Sequence, residues 1–489
     1  MLPARDKPRA PTGTADEMSA TTRARRGITG AVLAAAVALV AATGATGART
    51  AVPVADGTAA LRAAAAAAAR GAGPGTDRRR YEAGFEAYVW GSPLVIMQRT
   101  RAQLLCIIRV NTLLNVPSLF GPTSRVVVTP NADTLYSTAA LDLRGGPMVL
   151  RVPNVTDRYY GFQLLDMYTN TIANVGTRTN GGRAGAYAIV GPGWHGRLPA
   201  GIQRIDSPTP DVWAIGRTLV TGPNDQPAAA AEQRRYVLEP LATTAPAPRS
   251  PRTCPPPASS PSTFVSDLTA AMAADPPLPR DRPIVADLAR GGIGPGLAPL
   301  SPAAQTTVEQ SQGAASQLIL GTRGPLSTTR DGWSRLRAIG TYGTSYLARA
   351  TVAAVGLGAN APAESVYYFA STDANGSPLA AGRTYVIHFG PGQLPPVDPR
   401  GFWSVTLYGP DHFLVANASN RYEIGDRTPG LVRGPDGSLD VYVANQPPAG
   451  HEANWLPAPT GGFNLVLRAY LPTGAILRGA WTPPGIQPS

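Results

Sequence analysis

Lysine is all but missing from this chain: Lys7 is the only one in 489 residues. Past that point there is no amine side chain for a Schiff base, a P-loop or a kinase site. Pyridoxal-phosphate chemistry, class-I aldolase chemistry and standard ATP hydrolysis are therefore disfavoured. Cysteine is nearly as scarce, with Cys106 and Cys254 alone. No C-x-x-C pair exists, which excludes cysteine-built zinc and iron–sulfur sites. Two readings of the cysteines stand. They pair in an oxidising compartment, or Cys106 is a buried free thiol in the apolar run Leu104–Ile108. His195, His388, His412 and His451 are scattered without H-x-H or H-E-x-x-H spacing, so each is read first as structural. No G-x-S-x-G elbow and no G-x-G-x-x-G turn are written here, which disfavours the usual α/β-hydrolase and Rossmann arrangements. No cofactor is called for. The metal question stays open: turns rich in Asp could offer oxygen ligands to calcium, but no EF-hand-like loop is present.

What is abundant is proline and glycine, 50 and 53 residues, spread along the chain without period. Both punctuate turns, so many short elements joined by loops are expected. The length allows two or three domains and a sizeable core. The formal net charge is +12, but the arginines are scattered and form no stripe. Nucleic acid is therefore not an expected partner, since backbone binding needs clustered phosphate contacts. Weak association with an anionic cell surface is compatible with the charge.

The N-terminus has the order of a secretion signal. Arg23, Arg25 and Arg26 precede an apolar run from Ile28 to about Val40, and small residues follow to Ala51. Residues 1–48 are expected to be a signal peptide that is cleaved, leaving an exported protein in the envelope or outside the cell. An uncleaved N-terminal anchor is the alternative. Arg25–Arg26 keeps the twin-arginine route open beside the general one. No other segment is long and apolar enough to span a bilayer.

Residues 49–78 read as an Ala/Gly-rich linker, helical in part at Leu61–Arg70. Tyr81, Phe85, Tyr88 and Val89 then recur at helical spacing, with an end expected near Gly91. From Val126 the grammar changes to strands and turns: Val126–Val128, Leu135–Leu143, Met148–Val152, Tyr160–Tyr168, Tyr187–Val190 and Val212–Val220, then a helix over Ala228–Tyr236. Residues 243–262 are a Pro/Ser-rich linker. Phe264–Ala274, Ala303–Leu320 and Tyr346–Val355 read as helices of a connector over 263–361. Strands return at Val366–Phe369, Tyr385–Phe389, Phe402–Tyr408, Leu439–Val443, Phe463–Leu471 and Ile476–Trp481. The expected fold is α+β: a β-rich N-terminal domain over 79–242, a helical connector, and a C-terminal antiparallel β-sandwich or jelly roll over 362–489.

The residues that could carry chemistry fall in a few polar, aromatic segments. One runs Thr129–Pro130–Asn131–Ala132–Asp133–Thr134–Leu135–Tyr136–Ser137; another runs from Tyr159 to Asn170 and on through Gly176–Thr177–Arg178–Thr179. In a strand, Leu164, Asp166 and Tyr168 share one face and Gln163, Leu165 and Met167 the other. A carboxylate on such a face needs a partner or acquires a raised pKa, and Arg178 is the natural partner. Asp166 is thus either a clamp between strands, to Arg178 or a tyrosine, or a general acid or base. Asp133 follows the turn signal Pro130–Asn131. It is either a turn cap or the second carboxylate of a pair with Asp166, which would suit glycoside or related hydrolysis. Asp133, Asp166, Tyr168 and Arg178 form the candidate catalytic set. Trp403, Tyr408, Tyr422 and Trp455 form an aromatic platform for a sugar ring or pack as core. Arg421 and Arg427 beside Asp426 read as an ion-pair network. With Asn131 and Tyr136, the four aromatics and Arg421 make up the candidate ligand-binding set.

These segments, with Phe402–Tyr408, Asn420–Arg427 and Asn454–Pro459, resemble the paired bacterial domains of unknown function DUF1254 (N-terminal) and DUF1214 (C-terminal). The connector fits as well, through Tyr342–Gly343, Arg349–Ala350 and Gly356–Leu357–Gly358–Ala359–Asn360. The resemblance spans Arg79 to Leu241 and Pro362 to Gln487. It implies an exported or envelope-associated β-rich protein and brings no agreed reaction or catalytic set. The long leader and the Thr243–Ser262 stretch depart from the family pattern.

Two functional classes follow. The first is a non-catalytic exported protein that binds a small molecule, a glycan or an envelope component in a cleft between two β-rich domains. The second is an extracytoplasmic hydrolase or lyase using Asp, Tyr and Arg. Oligomeric state is not written in the sequence.

Overall fold

The computed structural model describes residues 57–125, 129–242, 254, 259–337 and 339–489. The expected signal peptide, the Val126–Val128 strand and most of the Pro/Ser-rich linker lie outside the described residues.

The chain opens with helix α1 (Thr58–Arg70) and the long α2 (Arg78–Leu105), capped by the Asp77 carboxylate accepting from the Arg80 N–H. Helix α2 does not stop at Gly91 as its sequence predicts. Gly91 is a contact, not a terminator: a Cβ there would lie 2.6 Å from Leu268 Cδ1. Gly84 plays the same part against Val308 and Ser311. Removing side chains lets the flanking helices approach the α2 backbone, and that packing outweighs the helix propensity lost at glycine. The flanking helices are α5 (Phe264–Ala274), α6 (Arg282–Arg290), α7 (Pro302–Gly321) and α8 (Tyr346–Gly356). All share one apolar core with α1 and α2. The first long helix thus belongs to the helical layer of the connector, although its sequence position assigns it to the N-terminal domain. The short α3 (Thr177–Asn180) and α4 (Gln226–Gln233) lie between strands of the N-terminal part.

A five-stranded antiparallel sheet runs β1 (Leu114–Asn115), β2 (Thr134–Asp142), β8 (Asp211–Leu219), β4 (Tyr160–Asp166), β5 (Thr171–Gly176). A four-stranded sheet runs β7 (Ile202–Asp206), β6 (Gly185–Val190), β3 (Met148–Val152), β9 (Val237–Pro240), with β6 and β7 parallel. The period of two assigns the faces of the larger sheet. Ala139, Leu141, Phe162, Leu164, Val212 and Ala214 join the core shared with the four-stranded sheet. Ala140, Leu165, Trp213 and Ile215 join the helical core on the other side. The central sheet is therefore covered on both faces, and β8 is buried at every position.

The C-terminal part has a six-stranded sheet: β10 (Ser327–Arg330), β11 (Trp333–Leu336), β12 (Ser365–Ala370), β18 (Asn464–Pro472), β14 (Val397–Tyr408), β15 (Glu423–Gly425). It shares a core with a second four-stranded sheet: β17 (Trp455–Pro457), β16 (Leu439–Ala444), β13 (Tyr385–Phe389), β19 (Ile486–Pro488). The strand expected at Ile476–Trp481 is instead the short helix α9 (Gly474–Leu477). Ile476 alone enters the core, and the four residues after it are exposed. One buried side chain per turn suits a helix; a strand would bury every second one.

Cys106 and Cys254 form a disulfide across a sequence separation of 148 residues. It ties the C-cap of α2 to the proline-rich stretch. By chain entropy a loop of that size contributes up to about 5 kcal/mol. Cys254→Ser is expected to lower the melting temperature by several degrees, and dithiothreitol should do the same to the wild type. A variant that melts with the oxidised wild type would show that the bond does not hold the helical layer.

Candidate functional site

Alternation on three strands brings the functional side chains together. On β18, Leu465, Leu467 and Ala469 point into the C-terminal core, so Val466, Arg468 and Tyr470 point the other way. On β14 the same rule turns Phe402, Ser404, Thr406 and Tyr408 outward, and on β12 Tyr367 and Phe369. This second face meets the end of the N-terminal sheet, where Tyr136 and Arg217 lie on the side that faces the helices. Phe402 and Tyr470 stack at 4.3 Å, and Tyr159 packs edge-on to Tyr470 at 5.1 Å.

Between these surfaces lies a cavity of about 130 Å³. It is lined by Arg217, Arg468, Tyr136, Tyr367, Tyr470 and Asn131 and by apolar residues of β8, β11, α8 and the turn at Leu357. Both arginines are buried, and neither has a carboxylate within ion-pair distance among the described residues. Arg217 donates to the carbonyl of Gly358 at 2.7 Å, to Asn360 Oδ1 at 2.9 Å and to Gln163 Oε1 at 3.3 Å. Arg468 donates to Thr406 Oγ1 at 2.9 Å and to the Thr129 carbonyl at 3.0 Å. The Tyr470 hydroxyl accepts from Asn131 Nδ2 at 2.8 Å, and the Tyr367 hydroxyl accepts from Asn360 Nδ2 at 3.1 Å. Among the described residues neither hydroxyl proton has an acceptor. Burial pushes the Tyr470 phenol well above its ordinary pKa, so it stays a neutral donor.

Beside the cavity, Asp133 crosses the same boundary. Its Oδ1 takes Arg427 Nη2 at 2.7 Å and its Oδ2 takes the Ser404 hydroxyl at 2.8 Å. Glu423 and Asp426 crowd the same guanidinium, at 4.0 and 3.4 Å. Burial, with repulsion from Asp133, raises Glu423 to about 8, and burial raises Asp426 to about 6. Glu423 Oε2 has no hydrogen-bond partner, so this cluster holds more carboxylate than one guanidinium neutralises.

The other candidates fall elsewhere. Asp166 accepts the Tyr168 and Asn170 N–H groups, both at 2.9 Å, and Asn170 Nδ2 at 2.8 Å. It closes the turn after β4, which explains why alternation stops there and Tyr168 joins the helical core instead of the Leu164 face. The Tyr168 hydroxyl donates to the Asp275 carbonyl at 3.0 Å, and Arg349 lies over its ring at 5.4 Å. Arg178 does not pair with Asp166. It donates to Glu364 at 2.7 Å, and Tyr159 holds the other oxygen of that carboxylate at 2.8 Å. The expected carboxylate pair does not form either. Asp166 is opposite Val212 and Asp133 adjoins the Leu219 end of β8, seven residues along. At about 3.3 Å per residue they are about 23 Å apart, against about 9.5 Å at most for paired glycosidase carboxylates.

The four aromatics also do not share a platform. Trp403 is in the C-terminal core, while Tyr408, five residues on, faces the opposite way and donates to the Pro130 carbonyl at 2.6 Å. Tyr422 donates to Asn420 Oδ1 at 3.0 Å, and Trp455 Nε1 donates to the Ala444 carbonyl at 2.8 Å. Arg421 binds backbone carbonyls, Trp455 among them at 2.7 Å. Of the expected residues, Asn131 and Tyr136 line the cavity. Sequence reasoning missed Arg217, Arg468, Tyr367 and Tyr470. A signal was present: Arg217 and Arg468 are lone cations in otherwise apolar strands, where burial demands a reason.

Residues 110–240 match the family model described as protein of unknown function DUF1254, and residues 364–474 match that described as protein of unknown function DUF1214. Among solved structures, the VPA0106 protein of Vibrio parahaemolyticus is similar with a TM-score of 0.66 and 22% identity, covering 84% of this chain and 100% of that one. That likeness shows a shared fold. An uncharacterised protein from Burkholderia cenocepacia gives a TM-score of 0.39 at 14% identity, covering 88% of this chain and 93% of that one, too low to argue from. No curated protein matches the chain.

The raised Glu423 gives a pH test. Its folded pKa, about 8, lies above the ordinary carboxylate value of 4.5, so the folded state keeps a proton that the unfolded state has lost. Its contribution to stability is full below the unfolded value and declines as pH rises towards 8. Glu423→Gln, which keeps the neutral form, should gain stability relative to wild type over that window. Parallel stability curves from pH 4 to 9 would show that Glu423 titrates normally.

Proposed function

We propose that this protein, which carries the DUF1254 and DUF1214 domains in that order, is an exported protein that captures a small ligand in the cavity between its two β-rich parts. The observation that carries the reading is the composition of the cavity wall. The N-terminal sheet gives Tyr136 and Arg217, the helical layer gives Val352 and Leu357, and the C-terminal sheet gives Tyr367, Arg468 and Tyr470. Ligand sites occur preferentially where such units meet, with a mostly apolar wall and a few convergent polar groups. Export is supported by the Cys106–Cys254 disulfide, since such bonds persist in oxidising compartments. The basic-apolar-small order of the leader points the same way.

A cavity-blocking variant tests capture. Ala359 lines the cavity, so Ala359→Phe should abolish ligand-dependent stabilisation in a small-molecule melting screen while leaving the unliganded melt nearly unchanged. Identical responses of wild type and variant to every compound would remove the cavity as a ligand site. For export, residues 1–60 fused to alkaline phosphatase should give activity outside the cytoplasm, and an inactive cytoplasmic fusion would count against it.

A second reading, hydrolase or lyase, has one observation in its favour. Asp426, raised by burial to about 6, lines a separate cleft of about 420 Å³ with Arg427, Arg158 and Arg400. A carboxyl with a pKa near 6 can act as a general acid close to neutrality. This reading expects turnover of an ester or glycoside with a pH limb near 6 that Asp426→Asn removes. Turnover unchanged in that variant would dismiss it.

A further inference from the structure

We infer that the cavity takes a small organic acid, with its carboxylate between Arg217, Arg468 and the hydroxyls of Tyr367 and Tyr470 and its apolar body along Trp213, Val352 and Leu357. This rests on the cavity being a ligand site, and adds the chemistry of what fills it.

The argument is an imbalance of hydrogen-bonding groups. A guanidinium offers five N–H donors and no acceptor. Arg217 and Arg468 spend some on Gly358, Asn360, Gln163, Thr406 and Thr129, all neutral acceptors. The Tyr367 and Tyr470 hydroxyl oxygens accept from asparagine, and among the described residues neither proton has a hydrogen-bonded acceptor. The acceptors beside these groups, the Asn131 Oδ1 and the Thr129 carbonyl, are already engaged. Two buried positive charges and two hydroxyl protons therefore converge where, among the described residues, the Tyr136 hydroxyl is a neutral acceptor and no carboxylate lies within ion-pair distance. The Tyr470 hydroxyl is close enough to sense Tyr136, Tyr367 and both guanidiniums electrostatically.

Isolated cations are costly to bury unless a counter-charge is supplied. Elsewhere at this boundary the chain supplies it: Asp133 meets Arg427 and Glu364 meets Arg178. At the cavity, among the described residues, neither arginine has a carboxylate within ion-pair distance, although Arg468 senses the charge of Asp133, and a ligand carboxylate would complete the pairing. Planar, bidentate recognition of a carboxylate by arginine is a favoured geometry. Much of the remaining lining is apolar, through Trp213, Leu336, Val352, Val355 and Leu357. A free inorganic oxyanion would leave that lining uncovered, whereas an acid with an aliphatic or aromatic body meets both kinds of lining.

The test uses the full chain with hexanoate and benzoate, their neutral isosteres hexanamide and benzamide, and inorganic phosphate. The carboxylates should raise the melting temperature in proportion to log concentration, and the amides and phosphate should not. Arg468→Gln should weaken carboxylate binding at least tenfold. Because removing a buried cation can disturb folding, the Tyr367→Phe/Tyr470→Phe double variant is the second probe, expected to lose several-fold in affinity when its ligand shift is measured against its own unliganded melt, which falls as Asn131 and Asn360 lose an acceptor. Amides binding as well as carboxylates would overturn the acid and leave the cavity reading standing. Phosphate binding more tightly than either acid would overturn the organic ligand. No shift by any probe would also overturn the acid, and the Ala359→Phe screen would then decide separately whether the cavity binds anything.

Discussion

Burial of β14 and β18 on both faces is the constraint from which the rest of the molecule follows. One face of each strand fills the C-terminal core. The other cannot be left in water, because Phe402, Tyr408 and Tyr470 are fully buried there. It is covered by the end of the N-terminal sheet, and the aromatic contact between Tyr159, Phe402 and Tyr470 is the apolar part of that seam. The same face carries Ser404, Thr406 and Arg468, which need partners once buried. They find them in Asp133, in each other and in the Thr129 carbonyl. A seam that must satisfy specific polar groups fixes one relative placement of the two parts.

Most polar groups along the seam find partners, and charge is left unbalanced at two places, the Asp133 cluster and the cavity. At the Asp133 cluster the excess is negative and is relieved by a proton held on Glu423, which burial and Asp133 raise to about 8. At the cavity the excess is positive, and arginine has no proton to give up near neutrality. Adjacent sites thus resolve the same problem of buried charge in different ways, one by titration and one by leaving space for a ligand. A departure from internal consistency of this kind is where function is expected in a folded chain.

The strands were legible because alternation and turn residues agree along them. Met148–Val152 and Tyr385–Phe389 stand in the structure at the bounds their sequence predicts. Gly91 misled because a glycine that stops a helix and one that admits a neighbour look alike in sequence. Ile476–Trp481 misled because a short apolar run does not tell a strand from a helical turn. Asp166 was legible as a buried carboxylate but not as the closure of its own turn, since its partners are backbone N–H groups two and four residues on. Arg178 pairs with Glu364, 186 residues away in the chain, a partner that no local pattern shows.

The sequence by itself determined the pairing of the two domains, the strand-and-turn character of both, and the scarcity of lysine and cysteine. These rest on local residue types and local period, which need no fold to be read. Tertiary structure alone decided that Asp133 and Asp166 lie at opposite ends of one sheet, that the long first helix belongs to the connector, and that Arg217 and Arg468 meet. Each strand's alternation says only which residues share its own face. Which face of β8 looks upon which face of β18, 251 positions further along in their two arginines, is set by the packing of sheets, and the cavity exists only in that packing.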